Sequence, residues 1–102
     1  MILDTEGSIR GANALASQGM PVMAIPASID NDVFGTDLSI GVDTALNTIV
    51  GAVDRLRDTA SAHNRAFLVE TMGRNCGYLA LVAGVVCGAE LALVPETPGG
   101  VG

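Results

Sequence analysis

Residues 28–37 place three carboxylates, Asp30, Asp32 and Asp37, within one short segment. The segment follows directly on the apolar run of residues 21–25, which has the composition of a buried strand. In an open α/β sheet, ligands bind at the loops that leave the carboxyl ends of the strands. Like charges packed this closely repel each other unless a metal ion, a cation or a Mg²⁺–polyanion complex lies among them. The same residue types also form solvated turns, so a binding site and an acidic turn both remain open interpretations.

Arginines are the candidate ligands for an anion, because the sequence contains no lysine and only one histidine. Arg74 follows the apolar run of residues 66–69 and precedes a predicted helix, a position that suits bidentate capture of a phosphate group. Arg65 and His63 lie at the predicted end of a long helix, where a cation complements the helix dipole. For His63 that role is the favoured interpretation. Arg65 stays a candidate ligand because cations are so few.

A weaker candidate for phosphate binding lies at residues 6–8, where the first strand turns into the first helix. Gly7 allows a phosphate to approach the backbone, and the N-terminus of a helix attracts anions. Ser8 suits the N-cap of the same helix equally well, and that is the commoner role for serine. Both interpretations remain open for this turn.

Composition and charge limit the classes of function. The net charge of −6 argues against nonspecific binding to nucleic acids or to anionic membranes, which requires a basic surface. Hydrophobic residues make up 49% of the chain and aromatic residues 3%, so the core is aliphatic. Cys76 and Cys87 fit small core residues in a reducing compartment better than a disulfide or a metal pair. The sequence has neither a signal peptide nor 18 consecutive apolar residues, so we expect a cytoplasmic protein.

Short apolar runs alternate with amphipathic stretches along the chain. Between residues 41 and 62 the apolar side chains recur every third or fourth position, which predicts a helix with one buried face. The full pattern predicts strands at residues 1–3, 21–25, 66–69 and 91–94, and helices at residues 8–18, 41–62 and 76–88. This alternation predicts an α/β fold, a three-layer, Rossmann-like sandwich with a parallel sheet and crossover helices. Both ends of the sequence look cut, so we expect a partial domain.

Five motifs, taken in order, resemble the phosphofructokinase family. They are residues 26–32 (PASIDND), 35–37 (GTD), 54–59 (DRLRDT), 61–65 (SAHNR) and 72–80 (MGRNCGYLA), continued by 88–90 (GAE) and 94–96 (VPE). The resemblance covers essentially the whole chain, so the match is strong. It implies that residues 1–102 are the central part of a phosphofructokinase domain, about a third of a subunit.

The resemblance also implies a reaction, the transfer of the γ-phosphoryl group of ATP to the 1-hydroxyl of fructose 6-phosphate, with Mg²⁺. Asp30 resembles the general base that takes the hydroxyl proton. Asp32 resembles the neighbour that helps to organise the Mg²⁺–nucleotide. Phosphoryl transfer requires positioning, charge neutralisation and one carboxylate for that proton.

Substrate contacts follow from the same resemblance. Ser28 takes the place of a hydroxyl residue near the transferred phosphoryl group. Arg65 resembles an arginine that reaches across a subunit interface to the 6-phosphate, which implies a homo-oligomer, a tetramer in the family. Met72, Gly73 and Arg74 resemble the turn that binds the sugar phosphate, with Arg74 catalytic and close to the reacting phosphates.

The sequence departs from the family at its first turn. The family has a Gly-Gly-Asp-Gly-Ser turn for nucleotide and Mg²⁺, whereas this chain has residues 4–8 (DTEGS). Glu6, Gly7 and Ser8 are the implied nucleotide-binding residues, with Glu6 as the implied metal ligand. The charge and bulk of Asp4 and Thr5 oppose close approach of a phosphate.

Three activities are weighed for the chain. Gly7 and Ala27 leave room for a nucleotide, where relatives that use pyrophosphate carry Asp and Lys, so ATP is the expected donor. A pyrophosphate-dependent relative is the first alternative. A noncatalytic chain that binds a sugar phosphate or pairs with a complete subunit is the second, kept open by Asp4 and Thr5. We expect the isolated chain to be inactive.

Overall fold

The computed structural model describes residues 2–4 and 6–97, which form two strands and three helices. These elements are β1 (Ile2–Asp4), α1 (Glu6–Ser17), β2 (Ala24–Pro26), α2 (Val42–His63) and α3 (Tyr78–Cys87). The chain divides into two compact units, the first ending at Val42 and the second beginning at Asp43. Residues 98–102, where the sequence predicts a loose end, lie outside the described residues, as do Met1 and Thr5.

The first unit is built around a parallel βαβ arrangement. β1 and β2 pair in parallel, with Ile2 opposite Ala24 and Asp4 opposite Pro26. Parallel strands need a crossover connection, and α1 supplies it, packing on both strands. Ala12 is the buried residue on its packed face. The predicted order of strand, helix and parallel strand is therefore confirmed in this unit, with α1 beginning two residues earlier than predicted.

In the second unit, α2 and α3 differ in how their apolar residues are arranged. α2 is amphipathic, with Ile49 and Val53 half-buried on one face. α3 is apolar almost all round, and its buried residues include Leu79 and Cys87. The placement of Cys87 in the core confirms the interpretation of that cysteine as a small core residue. Gly88 caps the C-terminus of α3. Its backbone is in the left-handed conformation that favours glycine, and backbone N–H groups at this cap donate to the carbonyl oxygens of Gly84 and Val85.

The two strands predicted in the second unit are wrong. Residues 66–69 and 91–94 have no regular secondary structure. A strand exists only when its backbone pairs with another, and these two segments instead line a cavity of about 280 Å³ together with residues of α2 and α3. Leu68 in the first segment is 92% exposed and Leu91 in the second is 74% exposed. These two apolar segments therefore have no strand to pair with among the described residues.

Candidate functional site

The acidic segment forms a closed loop directly after β2. The backbone N–H of Ile40 donates to the carbonyl oxygen of Pro26 at 3.1 Å, which joins the two ends of the loop. The backbone N–H of Ser28 donates to Oγ of Ser39 at 2.7 Å, and both serines are buried. Because its ends are tied by two hydrogen bonds, the loop presents its carboxylates from a fixed frame.

Asp30 and Asp32 differ in their surroundings although they are two residues apart. Oδ1 of Asp30 is buried and has no hydrogen-bond partner among the described residues. Oδ1 of Asp32 accepts a hydrogen bond from Oγ of Ser28 at 2.9 Å, and Asp32 is otherwise exposed. A buried acceptor without a partner is unfavourable unless a ligand supplies the missing donor. The structure therefore joins Ser28 to Asp32 and leaves Oδ1 of the neighbouring Asp30 without a protein donor.

The position of this loop agrees with where an α/β sheet binds ligands. Asp4 lies opposite Pro26 in the parallel register, so β1 and β2 end at the same edge. The loop that starts at Ala27 and the first turn of α1 both leave that edge. Both predicted sites of the first unit consequently start at the carboxyl edge of the strands, where the chemistry of such sheets is found.

The predicted nucleotide turn is only partly described. α1 begins at Glu6, so Ser8 lies inside the first helical turn and the alternative interpretation of Ser8 as the N-cap is wrong. Gly7 is exposed, and a Cβ atom added there would meet nothing within 4 Å. The side chain of Glu6, the predicted metal ligand, lies outside what the structure describes. Backbone N–H groups in the first turn of a helix are the donors that bind phosphate.

In the second unit, Met72, Gly73 and Arg74 form one turn that lines a surface pocket together with Glu70 and Thr71. Gly73 has φ +126°, and a Cβ atom there would collide with the carbonyl oxygen of Cys76. Glycine is thus required for the turn to close. Arg74 is exposed and forms no ion pair within the described chain, so its guanidinium remains available for an anion.

Glu96 makes a hydrogen bond just beyond this turn, although the sequence predicted no role for it. Its Oε1 accepts a hydrogen bond at 2.8 Å from the backbone N–H of Gly77, the residue that precedes α3. That hydrogen bond, followed by one from the backbone of Glu96 itself, holds the pKa of the carboxyl below its usual value, and the Cys76 thiol adds to the effect. Desolvation acts weakly in the opposite direction.

The N-terminus of α3 and the turn of Arg74 share a second pocket, lined also by Val94 and Pro95. A Cβ atom at Gly77 would overlap Val94, so glycine permits this close approach. The sequence signal for it was a glycine directly before an apolar helix that lacks a capping side chain of its own.

Arg65 lies away from that turn, just beyond the end of α2. Asn64 has φ +49°, a left-handed conformation that asparagine tolerates, and it ends the helix. The backbone N–H of Arg65 then donates to the carbonyl oxygen of Ala60 at 3.1 Å. The Arg65 side chain is exposed and lines a pocket that also contains Arg57 and Glu90. His63 occupies the last turn of α2, where a cation complements the helix dipole.

The described residues contain no group of three or more histidine, cysteine, aspartate or glutamate side chains arranged to hold a metal ion. None of their helices has both the length and the apolar character needed to cross a bilayer.

Comparison with known proteins gives a single family. The family model described as phosphofructokinase matches residues 4–101. The chain is 56% identical over 99 residues to the ATP-dependent 6-phosphofructokinase of Thermotoga petrophila, covering 96% of this chain and 31% of that protein. It is 51% identical over 96 residues to the protein of the same name from Natranaerobius thermophilus, covering 94% of this chain and 30% of that one. The chain thus spans less than a third of the length of these relatives.

Solved structures give the same result. The structure of Pichia pastoris phosphofructokinase in the T-state matches with a TM-score of 0.83 and 36% identity, over 95% of this chain and 11% of that chain. Phosphofructokinase from Saccharomyces cerevisiae matches with a TM-score of 0.77 and 35% identity, over 86% of this chain and 15% of that one. The predicted Rossmann-like α/β fold is confirmed by these likenesses.

Proposed function

Because the chain belongs to the phosphofructokinase family, we propose that it is the central part of an ATP-dependent 6-phosphofructokinase. The reaction transfers the γ-phosphoryl group of ATP to the 1-hydroxyl of fructose 6-phosphate. The observation that carries the proposal is the buried, unpartnered Oδ1 of Asp30, on a loop at the carboxyl edge of the strands. The curated relatives, named ATP-dependent 6-phosphofructokinases, support the same reaction.

In the proposed mechanism, Asp30 is the general base. Its Oδ1 accepts the proton of the sugar 1-hydroxyl while the hydroxyl oxygen attacks the γ-phosphorus atom and the bond to the β-phosphate oxygen breaks. ADP leaves, and the proton passes from Asp30 to solvent. This role requires an acceptor that no protein donor already occupies, and Oδ1 of Asp30 meets that requirement.

Asp32 and Ser28 act beside the base. Ser28 donates its hydroxyl to Asp32, which fixes the orientation of that carboxylate. Mg²⁺, when bound, neutralises negative charge on the phosphates, and it prefers one or two carboxylates together with phosphate oxygens. The carboxylate of Asp32, on the exposed side of the loop, fits that preference. Glu6 is the further ligand that the sequence proposes.

The second unit supplies the groups for the sugar phosphate. Met72, Gly73 and Arg74 form the turn proposed to bind it, and the exposed guanidinium of Arg74 stabilises charge on the transferred group. Arg65, held at the end of α2, is proposed to bind the 6-phosphate in a neighbouring subunit of a homo-oligomer. Two arginines without ion pairs in the described chain support an anionic substrate in this acidic protein.

The donor is proposed to be ATP. The open space beside Gly7 and the small side chain of Ala27 leave room for the adenosine part of a nucleotide. The protein is proposed to work in the cytoplasm. A pyrophosphate-dependent relative and a noncatalytic sugar-phosphate-binding chain are the alternatives that an assay distinguishes.

The test uses a full-length chimera in which residues 1–102 replace the matching third of the Thermotoga petrophila protein. Fructose 1,6-bisphosphate is measured with ATP or with pyrophosphate as donor, and the unaltered Thermotoga protein is the control. We expect turnover with ATP alone, and none from the isolated 102-residue chain. Turnover with pyrophosphate alone would identify the first alternative. A folded chimera that binds fructose 6-phosphate without turnover would identify the second.

A further inference from the structure

The loop that carries Asp30 and Asp32 is braced by two residues, Asn31 and Ser39, to which the proposed reaction gives no role. We infer that Asn31 and Ser39 are positioning residues, which hold Asp30 with its Oδ1 free to receive the substrate proton. The inference rests on the proposed function, because positioning matters only if Asp30 is the base. It assigns the task to an amide and a hydroxyl whose described hydrogen bonds all go to backbone atoms of the loop.

Asn31 is the centre of the brace. Its backbone has φ +53°, in the left-handed region that asparagine enters more readily than most residues. Its backbone N–H donates to the carbonyl oxygen of Ser28 at 3.2 Å. Its side chain accepts from the backbone N–H of Ser39 at 2.9 Å and donates to the carbonyl oxygen of Asp37 at 3.2 Å. Both ends of the amide are occupied, so the residue between the two carboxylates has one orientation.

Ser39 connects this amide to the start of the loop. It is 3% exposed, and its Oγ accepts the backbone N–H of Ser28, which is itself 6% exposed. The side chain of Ser28 then donates to Asp32. A continuous set of hydrogen bonds thus runs from Asn31 through Ser39 and Ser28 to Asp32.

This set directs its donors to one carboxylate only. Oδ1 of Asp32 receives a hydroxyl donor, whereas Oδ1 of Asp30 is buried without any described partner. A turn that served stability alone would be expected to satisfy its most buried acceptor, because an unpartnered buried group is unfavourable. Oδ1 of Asp30 thus stays unpaired while the adjacent residue Asn31 is held in place, which suits a preorganised base.

Three variants test the inference in the chimera. Asn31→Gly removes the amide and keeps a residue that adopts the left-handed backbone, so the loss is confined to the side chain. Ser39→Ala removes the acceptor of the buried Ser28 N–H, and Ser39→Thr restores a hydroxyl. A base displaced by a fraction of an ångström to one ångström loses rate steeply, so we expect Asn31→Gly and Ser39→Ala to lower kcat by roughly 10- to 100-fold. The KM for fructose 6-phosphate should stay within a few-fold, and Ser39→Thr should recover most of the loss.

Matched controls come from exposed helix positions. Asn47→Ala removes an asparagine side chain that donates to the carbonyl oxygen of Asp43 at 2.9 Å. Ser17→Ala removes a hydroxyl that donates to the carbonyl oxygen of Asn13 at 2.9 Å. Each control deletes one hydrogen bond between a side chain and the backbone outside the loop, and each should leave kcat unchanged. Thermal unfolding shows which variants fold. If Ser39→Ala does not fold, the kcat values of Asn31→Gly and Ser39→Thr test the inference.

The decisive measurement is a double-variant cycle with Asp30→Asn. If Asn31 acts through Asp30, the double variant Asp30→Asn/Asn31→Gly has the same kcat as Asp30→Asn alone, because loss of positioning has no further effect once the base is absent. Independent losses that multiply would overturn the inference, as would a normal kcat for both Asn31→Gly and Ser39→Ala. If Asp30→Asn itself retains turnover, the proposed general base is wrong and the inference fails with it. The first two outcomes leave the proposed function intact, so the two failures are distinguishable.

Discussion

Replacement of Asp30 by asparagine is the most informative single change. Asparagine keeps the size and shape of the side chain and removes the group that accepts a proton at Oδ1. No described residue donates to that oxygen, so the substitution breaks no hydrogen bond to it. It also removes the repulsion between Asp30 and Asp32. We therefore expect the melting temperature of the chimera to stay the same or to rise slightly.

The loss of activity should be large, because the described residues offer no obvious replacement for the base. In the neighbouring carboxylate of the same loop, Oδ1 of Asp32 already accepts the hydroxyl of Ser28. General-base catalysis contributes about 10²–10⁴-fold, so kcat of Asp30→Asn should fall by that factor. The change corresponds to roughly 2.7–5.5 kcal/mol of transition-state stabilisation. Affinities for ATP and fructose 6-phosphate should remain within a few-fold.

The assay is steady-state turnover of the chimera across a Mg²⁺ series. Asp37→Asn is the matched control, since it removes the same charge from an exposed position in the same loop and should retain turnover. A loss in Asp30→Asn that high Mg²⁺ largely restores would assign the residue to metal binding. A near-normal turnover rate at saturating substrates would refute its assignment as the base.

Three further changes test other parts of the structure. Arg65→Ala removes a charge-assisted hydrogen bond worth roughly 1.5–3 kcal/mol, so the KM for fructose 6-phosphate should rise far more than the KM for ATP. A selective loss of ATP affinity would show that Arg65 binds the other ligand. Gly73→Ala should lower the free energy of unfolding by roughly 1–3 kcal/mol, because its backbone has φ +126° and a Cβ would meet the carbonyl oxygen of Cys76. The control is Gly51→Ala, in the exposed middle of α2 with open space around it, which should raise the free energy of unfolding by roughly 0.5–1 kcal/mol. Equal changes in the free energy of unfolding for the two variants would show that alanine is not strained at position 73. Glu96→Gln tests the lowered pKa of that carboxyl. A pKa that is lower in the folded state than in the unfolded state adds stability at neutral pH, and this stability is lost as the pH falls through 4.5 and below. In that pH range the melting temperature of the unaltered chimera should therefore fall more steeply than that of the variant.

Sequence patterns predicted the local elements better than their pairing. α2 followed from apolar periodicity, which directly reflects a buried face, whereas β2 and α3 followed from continuous apolar runs. Residues 66–69 and 91–94 have the same strand-like composition as residues 21–25, yet only the last of these runs includes a paired strand. Pairing depends on a neighbouring backbone, which composition does not specify.

For the candidate site, too, some residues could be predicted from the sequence and others could not. Asp30 and Asp32 stand out as carboxylates after an apolar run, and the structure gives them different surroundings. The roles of Asn31 and Ser39 were not visible in the sequence, because each acts through hydrogen bonds to residues six to eleven positions away. Such bonds depend on how the loop folds back on itself, and residue type alone does not predict that path.

The hydrogen bond from Gly77 to Glu96 has a consequence for the order of events during translation. The two residues are 19 positions apart, so α3 can be complete in the nascent chain before the carboxylate that closes its N-terminus has been synthesised. At about 5–20 residues per second, the nine residues from the end of α3 to Glu96 take roughly 0.5 to 2 seconds. During that time the first N–H groups of an apolar helix depend on water, and the turn of Arg74 lacks the neighbouring segment that completes its pocket. The pocket at the turn of Arg74 is therefore completed only after Val94 and Pro95 have been synthesised.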